Sequence, residues 1–428
     1  MVAIPIQTQI KHLILKEYLA KWRSIIINGS KFHALAAQNR GVEFMCRLVY
    51  VDGFSSDGRA FDDRGNSSAA EKLGMEHSGS PILGIRGLED AKAQAARAGF
   101  DVQTMAILVE ESRTKCKRLI ENLRGSGFQE RLIFDPAELS FRDSSIAIVH
   151  DDLNNVYRSI AQLLNSQYTK SFVFLDPYGP KDIPVELVSS FVGLPGTDVV
   201  INWPYLGLER KTGFLWSGPL TPGADAQLRN IDLLFGNGDW REICYSAILG
   251  TTEISSDKEA QLTELYTSTL QGVDPQVVVK RIPLEFESRD RTIYYLFITT
   301  RDPNGALELN QILDEAKLHE FGLKWADQQE RYIERRASAG QQFLFELPPA
   351  TPPTSEPRQV NIERVAADVY SAWHGKSASL KEVYGSLVNT RLYKSDINSA
   401  LRLLLQQGLV DKVGKKVADT MQFKALDS

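Results

Sequence analysis

The chain has 428 residues and a formal charge of −5, so the molecule as a whole is a poor indiscriminate binder of polyanions. Its length allows a large core and more than one domain. No apolar run reaches the roughly 18 residues of a membrane span, and the amino terminus lacks a charged-then-apolar signal pattern; we therefore expect a soluble, cytoplasmic protein without a membrane partner.

The first predicted strand covers residues 47–52 and ends in an acidic residue. It is a run of β-branched and aromatic residues, followed by a loop that contains Gly53 and Gly58. In an open parallel sheet the ligand crevice lies at the carboxyl ends of the strands, and glycine lets the backbone approach a ligand closely. This loop is therefore the expected place for a nucleoside cofactor, although its spacing is not G-x-G-x-x-G.

Three further apolar runs end in acidic residues. They begin at Met105, Ile146 and Ser171, and helical patterns follow the first two. Strands that alternate with helices predict an α/β fold with a doubly wound, Rossmann-like parallel sheet. Glu110, after the second strand, is placed to accept both hydroxyl protons of a ribose. Asp152, after the third strand, is placed to reach the exocyclic amine of an adenine.

Two strand-like runs near residue 290 predict an antiparallel hairpin. They cover residues 276–286 and 292–300, and a short charged turn joins them. Parallel strands closed by an antiparallel hairpin make the sheet of S-adenosylmethionine-dependent methyltransferases. The likeness to these enzymes is one of fold alone.

Short motifs along the first three quarters of the chain occur in a characteristic order. They are Lys11-His12 with Tyr18 and Trp22, Asp52-Gly53-Phe54 with Gly58, Gly79-Ser80-Pro81, Val109-Glu110, Asp152-Leu153-Asn154, Phe174 to Gly179, Val200-Ile201-Asn202, Leu234-Phe235-Gly236 with Asp239-Trp240, and Tyr294-Tyr295-Leu296. In these motifs the chain resembles the bacterial three-Cys-motif partner proteins, a methyltransferase-like family. It departs from the family pattern at Ser55-Ser56-Asp57, where the family usually has Ala-Gly-Pro.

The resemblance implies a cofactor, a partner and a set of binding residues. The cofactor is S-adenosylmethionine, and the partner is a neighbouring protein that carries the three-cysteine motif. Together with the strand-end acids, the expected cofactor-binding residues are Asp52, Gly53, Phe54, Gly58, Pro81, Glu110 and Asp152. The cysteines of this chain are not that motif, because Cys46, Cys116 and Cys244 are scattered without C-x-x-C spacing or a histidine cluster. We expect no metal site and no disulfide framework.

The segment Asp176-Pro177-Tyr178-Gly179 follows the last of the four strands. Methyltransferases that act on the amino groups of bases place an acid or amide, then proline, then an aromatic residue at this point. By that resemblance Asp176 orients the acceptor amine and Tyr178 stacks on the base, with Pro177 between them as the third predicted catalytic residue. The usual form has two prolines where this chain has one.

The end of the chain predicts a linker followed by a separate domain. The proline-rich residues 348–357 read as a linker between a methyltransferase-like domain at 1–347 and a second domain at 358–428. Beyond the linker, helical patterns at 362–373, 380–388 and 394–407, the last with Ser395 or Asp396 as its cap, are followed by a hairpin pattern at 408–423. This order predicts a winged helix-turn-helix.

The charge of this module suggests a partner for it. From Pro357 onward there are 11 Lys and Arg against 7 Asp and Glu, which makes the module basic inside an acidic chain. We therefore expect it to contact DNA or RNA, through Lys394, Arg402, Lys415 and Lys416. Winged helices also serve as protein-interaction modules, and that alternative stays open.

Two functions from different classes follow from the sequence. The first is an S-adenosylmethionine-dependent methyltransferase that acts on a nucleic-acid base amine together with a partner protein. The second is a catalytically inactive fold of the same family that binds nucleic acid or its partner.

Overall fold

The computed structural model describes residues 5–59, 78–134, 139–212, 222–249, 254–285, 291–338, 358–413 and 420–424. Its contacts divide the chain into two compact units, Met1–Arg301 and Asp302–Ser428.

The first unit is built on one large sheet. Its described strands are β1 (Arg47–Asp52), β2 (Gln103–Val109), β3 (Leu132–Phe134), β4 (Ser145–Val149), β5 (Thr169–Leu175), β6 (Thr197–Trp203), β7 (Val278–Glu285) and β8 (Thr292–Thr300). They lie in the order β3-β4-β2-β1-β5-β6-β8-β7. Of these described strands, β8 alone runs against the others, because it pairs antiparallel with both β6 and β7. The predicted parallel sheet with an antiparallel hairpin at one end is confirmed.

Helices cover both faces of this sheet. Those described in the first unit are α1 (Ile6–Asn39), α2 (Ser80–Arg97), α3 (Arg113–Gly125), α4 (Leu153–Leu164), α5 (Val185–Val192), α6 (Tyr205–Thr212), α7 (Pro222–Phe235), α8 (Trp240–Leu249) and α9 (Ile254–Gln271). The predicted alternation of strands with helices is therefore present, and β3 and β6 are strands that no prediction named.

The alternation of side chains along β1 shows why both faces are buried. Val49 and Val51 enter a core that also contains Leu153 of α4 and Leu187 of α5. Tyr50, between the two valines, faces the other way and lies beside the Phe172 ring, with the centroids 6.2 Å apart. Tyr18 and Trp22 of α1 pack on the same phenylalanine. Successive residues of a strand point to opposite faces, so β1 needs apolar side chains throughout.

The second unit combines helices with a small sheet. Its described elements are α10 (Pro303–Ser338), α11 (Ile362–Trp373), β9 (Ser377–Ser379), α12 (Leu380–Ser386), α13 (Lys394–Gln406), β10 (Val410–Val413) and β11 (Thr420–Phe423). The strands lie in the order β10-β11-β9, and both pairings are antiparallel. The three helices and the hairpin predicted beyond residue 358 are present within a few residues of their expected bounds.

One detail of the predicted helix cap is wrong. Neither Ser395 nor Asp396 is the cap of α13, since Tyr393 precedes the helix as its N-cap residue. Asp396 acts from inside the first turn, where its Oδ2 accepts a hydrogen bond of 2.7 Å from the Tyr393 backbone N–H. An acidic residue at the third helical position can satisfy the cap's own N–H in this way.

The unit boundary lies before α10, whereas the predicted domain boundary lies after it. Leu307 of α10 belongs to the core that also contains Val365 and Leu401. Asn310 Nδ2 donates to the carbonyl oxygens of Thr390 and Leu392, at 3.0 and 2.7 Å. The first half of α10 is thus part of the second unit because it supplies core and hydrogen bonds to it. The predicted linker at 348–357 lies outside the described residues.

Candidate functional site

A cleft lies where β1, β2, β4 and β5 end. These strands are neighbours and run parallel, so their carboxyl ends meet at one edge of the sheet. The cleft has about 300 Å³ of empty space, a figure that includes the part open to solvent. Its lining residues are Gly53, Phe54, Val109, Glu110, Glu111, Asp151, Asp152, Leu153, Tyr178 and Asp182. Five of the residues predicted from the sequence are therefore brought together here: Gly53, Phe54, Glu110, Asp152 and Tyr178.

The loop after β1 requires glycine for reasons of packing. A Cβ on Gly53 would lie 2.8 Å from Cδ2 of both Leu153 and Leu175. Gly58 has φ +76°, and a Cβ on Gly79 would lie 2.7 Å from the backbone carbon of Gly58. The Gly79 N–H donates to the Gly58 carbonyl oxygen at 3.0 Å. The loop is therefore held against the start of α2, where Pro81 is buried in the first turn. Gly58 and Pro81 shape the loop and are not among the residues that line the cleft.

Glu110 lies on the wall of the cleft, just after β2. Its side chain is buried, and Oε1 accepts a hydrogen bond of 2.8 Å from the Ser112 backbone N–H. Burial raises the pKa of Glu110, although this hydrogen bond and the nearby Lys115 ammonium act in the opposite direction. A buried carboxylate at this edge can accept hydrogen bonds from a polar ligand. Its predicted contact with a ribose stays a prediction.

Asp152 also lines the cleft, and it has a structural role besides. It is the N-cap residue of α4, and its Oδ1 accepts hydrogen bonds from Asn154, from the backbone N–H at 2.9 Å and from Nδ2 at 3.0 Å. Aspartate is among the preferred N-cap residues, so the helix alone is a sufficient reason for an acid here. Its predicted contact with an adenine amine stays a prediction.

Tyr178 stands over the cleft with 62 % of its surface exposed. Lys115 of α3 contacts it: the ammonium donates a hydrogen bond to the Tyr178 hydroxyl and lies 4.2 Å from the centre of the ring. Burial by itself lowers the pKa of Lys115, but Tyr178 and the Glu110 and Asp57 carboxylates outweigh it and the pKa is raised. The sequence alone does not distinguish Lys115 from the other cations of α3, because only the fold brings it to Tyr178.

Asp176 lies apart from the residues that line the cleft. It contacts α1, on the other face of the sheet, where Lys11 forms an ion pair with its Oδ2. Asn202 Nδ2, from β6, donates to its Oδ1 at 2.6 Å. Burial tends to raise the pKa of Asp176, but the Lys11 ammonium and the two hydrogen bonds outweigh it, so the pKa is lowered and the group is ionised at neutral pH. Its side chain is still 27 % exposed.

The residues around Asp176 form a polar cluster that the sequence did not predict as a site. Burial, helped by the neighbouring Lys11 charge, lowers the pKa of His12 to about 3, so this imidazole is neutral. Burial also raises the pKa of Tyr294, with the Asp176 charge acting in the same direction. Lys11, His12 and Asn202 all occur in the motifs of the family resemblance. That resemblance was the available signal, but it gave these residues no role.

Asn202 presents one oxygen atom without a partner. An ionised carboxylate only accepts hydrogen bonds, so the amide must turn its Nδ2 toward Asp176, and this fixes the direction of Oδ1. Asn202 is 2 % exposed, and within the described part of the chain Oδ1 is buried with no hydrogen-bond partner. A buried acceptor without a donor is uncommon in folded proteins.

Asp52 belongs to this polar cluster rather than to the cleft. It is fully buried at the end of β1, where the Tyr50 hydroxyl donates to Oδ2 and the Phe54 backbone N–H donates to Oδ1, both at 3.2 Å. Burial raises its pKa to about 7, and the Asp176 charge acts in the same direction. Asp52 therefore exchanges a proton near neutral pH.

Two of the four predicted nucleic-acid residues of the second unit, Lys394 and Arg402, belong to the described part of the chain. Lys394, the first residue of α13, lies 3.9 Å from the Glu308 carboxylate and 5.7 Å from the centre of the Tyr384 ring. Arg402, in the middle of the same helix, is exposed. Lys415 and Lys416 lie outside the described residues. Their contact with DNA or RNA stays a prediction.

Neither a metal site nor a membrane span is evident in the described ranges. There, no three His, Cys, Asp or Glu side chains come together as a metal ion would require. The same ranges contain no helix with the length and apolar character needed to cross a bilayer.

Among known proteins, similarity to this chain is found in solved structures. No family model and no curated protein matches the chain. Among solved structures, the protein LPL1258 from Legionella pneumophila, described as DUF519, is 12 % identical in sequence, with a TM-score of 0.38. The match covers 73 % of this chain and 92 % of the Legionella protein. Similarity at that level supports no inference about function.

Proposed function

We propose that the Met1–Arg301 unit is an S-adenosylmethionine-dependent methyltransferase that acts on an amino group of a nucleic-acid base. The observation that carries the proposal is the architecture of the sheet: a reversed strand, β8, lies between β6 and β7, and a cleft lies at the carboxyl ends of β1, β2, β4 and β5. The support is by analogy of fold, together with a cleft in the position where open α/β sheets bind ligands.

The cleft offers groups that suit this cofactor. Glu110 is placed to accept hydrogen bonds from the ribose hydroxyls, and Asp152 has a second oxygen for the adenine amine. Phe54 supplies an apolar wall. Gly53 has no side chain beyond the backbone, so a ligand can approach the backbone closely there. When bound, the cofactor supplies an electrophilic methyl group. The protein's own contribution is to hold the accepting amine in line with that group.

Asp176 and Tyr178 are the residues proposed to hold the amine. The Asp176 carboxylate has about four acceptor positions, of which Lys11 and Asn202 use two, so it retains the capacity to accept an amine hydrogen. Tyr178, exposed above the cleft, is placed to stack on an extruded base, as the aromatic residues of base-modifying enzymes do. Pro177 fixes the backbone between them.

A second candidate function is favoured by the same carboxylate. Lys11 and Asn202 already bind Asp176. Lys11 belongs to α1, which covers the face of the sheet opposite to the core that contains Leu153. An Asp176 that serves this cluster alone would leave an inactive fold that binds nucleic acid or a partner protein. The two functions differ in whether methyl transfer occurs.

We propose a winged helix-turn-helix for residues 358–428, with α13 as the helix that contacts nucleic acid. The support is the order of its elements, three helices and then a hairpin whose strand β11 also pairs with β9. Arg402, exposed on α13, and the basic residues Lys415 and Lys416 of the hairpin sequence would contact phosphates. The three-Cys-motif partner protein is proposed from the sequence resemblance alone.

The test combines calorimetry with a transfer assay. The wild-type protein should bind S-adenosylmethionine and should transfer a radiolabelled methyl group to mixed cellular nucleic acid. Glu110→Ala should weaken cofactor binding by about 1–3 kcal/mol, because buried polar groups of the ligand lose their partner. Asp176→Ala should keep cofactor binding and reduce transfer by roughly 10²-fold or more, because the acceptor that orients the amine is removed. Glu242→Ala, an exposed acid of α8 that does not line the cleft, is the matched control and should change neither quantity.

The outcomes separate the two functions. Cofactor binding without any transfer by the wild-type protein would favour the inactive fold. No cofactor binding, with or without nucleic acid, would remove the methyltransferase proposal. Unchanged binding by Glu110→Ala would show that the cofactor does not contact this carboxylate.

A further inference from the structure

Helix α3 carries a strong local positive charge beside the cleft. Its 13 residues include five cations, Arg113, Lys115, Lys117, Arg118 and Arg124, and a single acid, Glu121. All of the cations except Lys115 are exposed. The chain as a whole has a formal charge of −5, so α3 differs from it in carrying a net positive charge. The fold does not require this charge, because the exposed side of a helix can carry any polar residue.

An exposed aromatic ring lies next to this helix. Phe134 ends the edge strand β3 and is 47 % exposed. Together with Lys117, Ile120, Glu121 and Arg124 it lines an open depression of about 580 Å³, a volume that includes bulk solvent. A large ring left open to water, in a depression that Lys117 and Arg124 also line, is suited to a flat aromatic ligand that bears negative charge. The bases and phosphates of a nucleic acid meet that description.

The two exposed rings lie on opposite flanks of α3. Residues of a helix are about 100° apart, so Lys115 and Lys117 point about 200° away from one another around the axis. Lys115 contacts Tyr178, whereas Lys117 lines the depression at Phe134. The buried side of the helix carries Cys116, Leu119 and Leu123. The ridge between the two rings therefore faces solvent and bears Arg118 and the single acid Glu121 on its exposed side. The helix is only about 10–12 Å wide.

We propose that a single strand of nucleic acid crosses α3, with one base stacked on Phe134 and the strand continuing to Tyr178. Lys117 and Arg124 hold the phosphates beside Phe134. The role of Tyr178 in this inference rests on the proposed function, whereas the Phe134 site does not. A single strand is favoured over a duplex because both rings need bases that are not paired and stacked. An acidic peptide would use the cations but has no regular use for two exposed aromatic platforms.

Binding is tested with the full-length protein and a labelled oligothymidylate of about 12 nucleotides, by fluorescence anisotropy. Phe134→Ala should weaken binding about 5-fold or more, the effect of one lost stacking contact. Lys117→Glu should also weaken binding, and it should lower the slope of log affinity against log salt by about 1. The matched controls are Leu233→Ala, an exposed apolar residue of α7, and Lys16→Glu, an exposed lysine of α1. Both should bind as the wild-type protein does.

A crosslinking measurement distinguishes binding at α3 from binding by the second unit. A strand that contains 4-thiothymidine, irradiated in the complex, should crosslink to the peptides that contain Phe134 and Tyr178. Wild-type affinity in Phe134→Ala together with no crosslink there would overturn the inference, as would equal affinity for a duplex. Competition by polyglutamate with no effect of Phe134→Ala would identify an acidic-peptide surface instead. Binding and crosslinking of this strand, together with no methyl transfer to mixed cellular nucleic acid, would support the inference and favour the inactive fold.

Discussion

At the scale of single residues, Lys11 and Asp176 form the contact with the clearest energetic consequence. Lys11→Met leaves the Asp176 carboxylate without its cation, and we expect a loss of about 1–3 kcal/mol in the free energy of unfolding. The double variant Lys11→Met, Asp176→Asn should lose less than the sum of the single variants, because no unpaired charge remains. Urea denaturation of the four proteins measures this coupling. Strict additivity would show that the ion pair contributes nothing.

Asp52 gives a prediction about pH. Its pKa is raised to about 7 by burial, whereas a free aspartate has a pKa near 3.9. The folded state therefore binds an extra proton between these values, and the stability that Asp52 contributes at low pH is lost as the pH rises from about 4 through about 7. Asp52→Asn keeps a neutral side chain of the same shape at every pH. The stability of this variant relative to wild type should therefore increase between about pH 5 and about pH 8.

The measurement is urea denaturation of both proteins at the two pH values. The difference between the proteins is the quantity to compare, because all other titrating groups act alike in both. Parallel pH dependence would mean that Asp52 does not titrate in this range.

At the scale of elements, the contact between α2 and β1 depends on one glycine. A Cβ on Gly84 would lie 2.1 Å from Cε1 of Tyr50, inside the ring's own volume. Gly84→Ala should lower stability by about 1–3 kcal/mol through overpacking, although alanine favours a helix over glycine by about 1 kcal/mol. Gly87→Ala in the same helix is the matched control, because its nearest neighbours are 3.9 Å away. It should leave stability unchanged or raise it. Thermal melts of both variants decide the point, and equal melts would contradict the close packing.

At the scale of the whole molecule, the second unit begins at Asp302 and includes α10. A fragment of residues 302–428 should therefore be more stable than one of residues 358–428, which lacks Leu307 and Asn310. In the longer fragment, Asn310→Ala should cost about 1–3 kcal/mol, because the carbonyl oxygens of Thr390 and Leu392 lose their donor. Chemical denaturation of the three fragments checks both statements. Equal stability of the two fragments would place the boundary at the predicted linker instead.

The sequence by itself determined where six of the eight described strands of the large sheet run, and which acids follow four of them. An apolar run of five to nine residues is a local signal, and so is the change to an acid at the end of β1 or β2. Both signals predict the folded structure correctly, because a strand buried on both faces must be apolar along its whole length. The antiparallel hairpin could be read for the same reason. Five predicted residues then meet in one cleft, because the ends of neighbouring parallel strands share an edge.

Only the tertiary structure decided which face of the sheet each of these side chains serves. Asp176 is 165 residues away from Lys11 in the chain, and no local pattern gives their contact. Leu175 and Asp176 are adjacent, yet the first enters the core with Leu153 while the second meets α1, since successive side chains of a strand point to opposite faces. Lys115 reaches Tyr178 across 63 residues in the same way. The sequence fixes the period of a strand, but its neighbours in the sheet, and the helices that cover each face, are set by long-range packing alone.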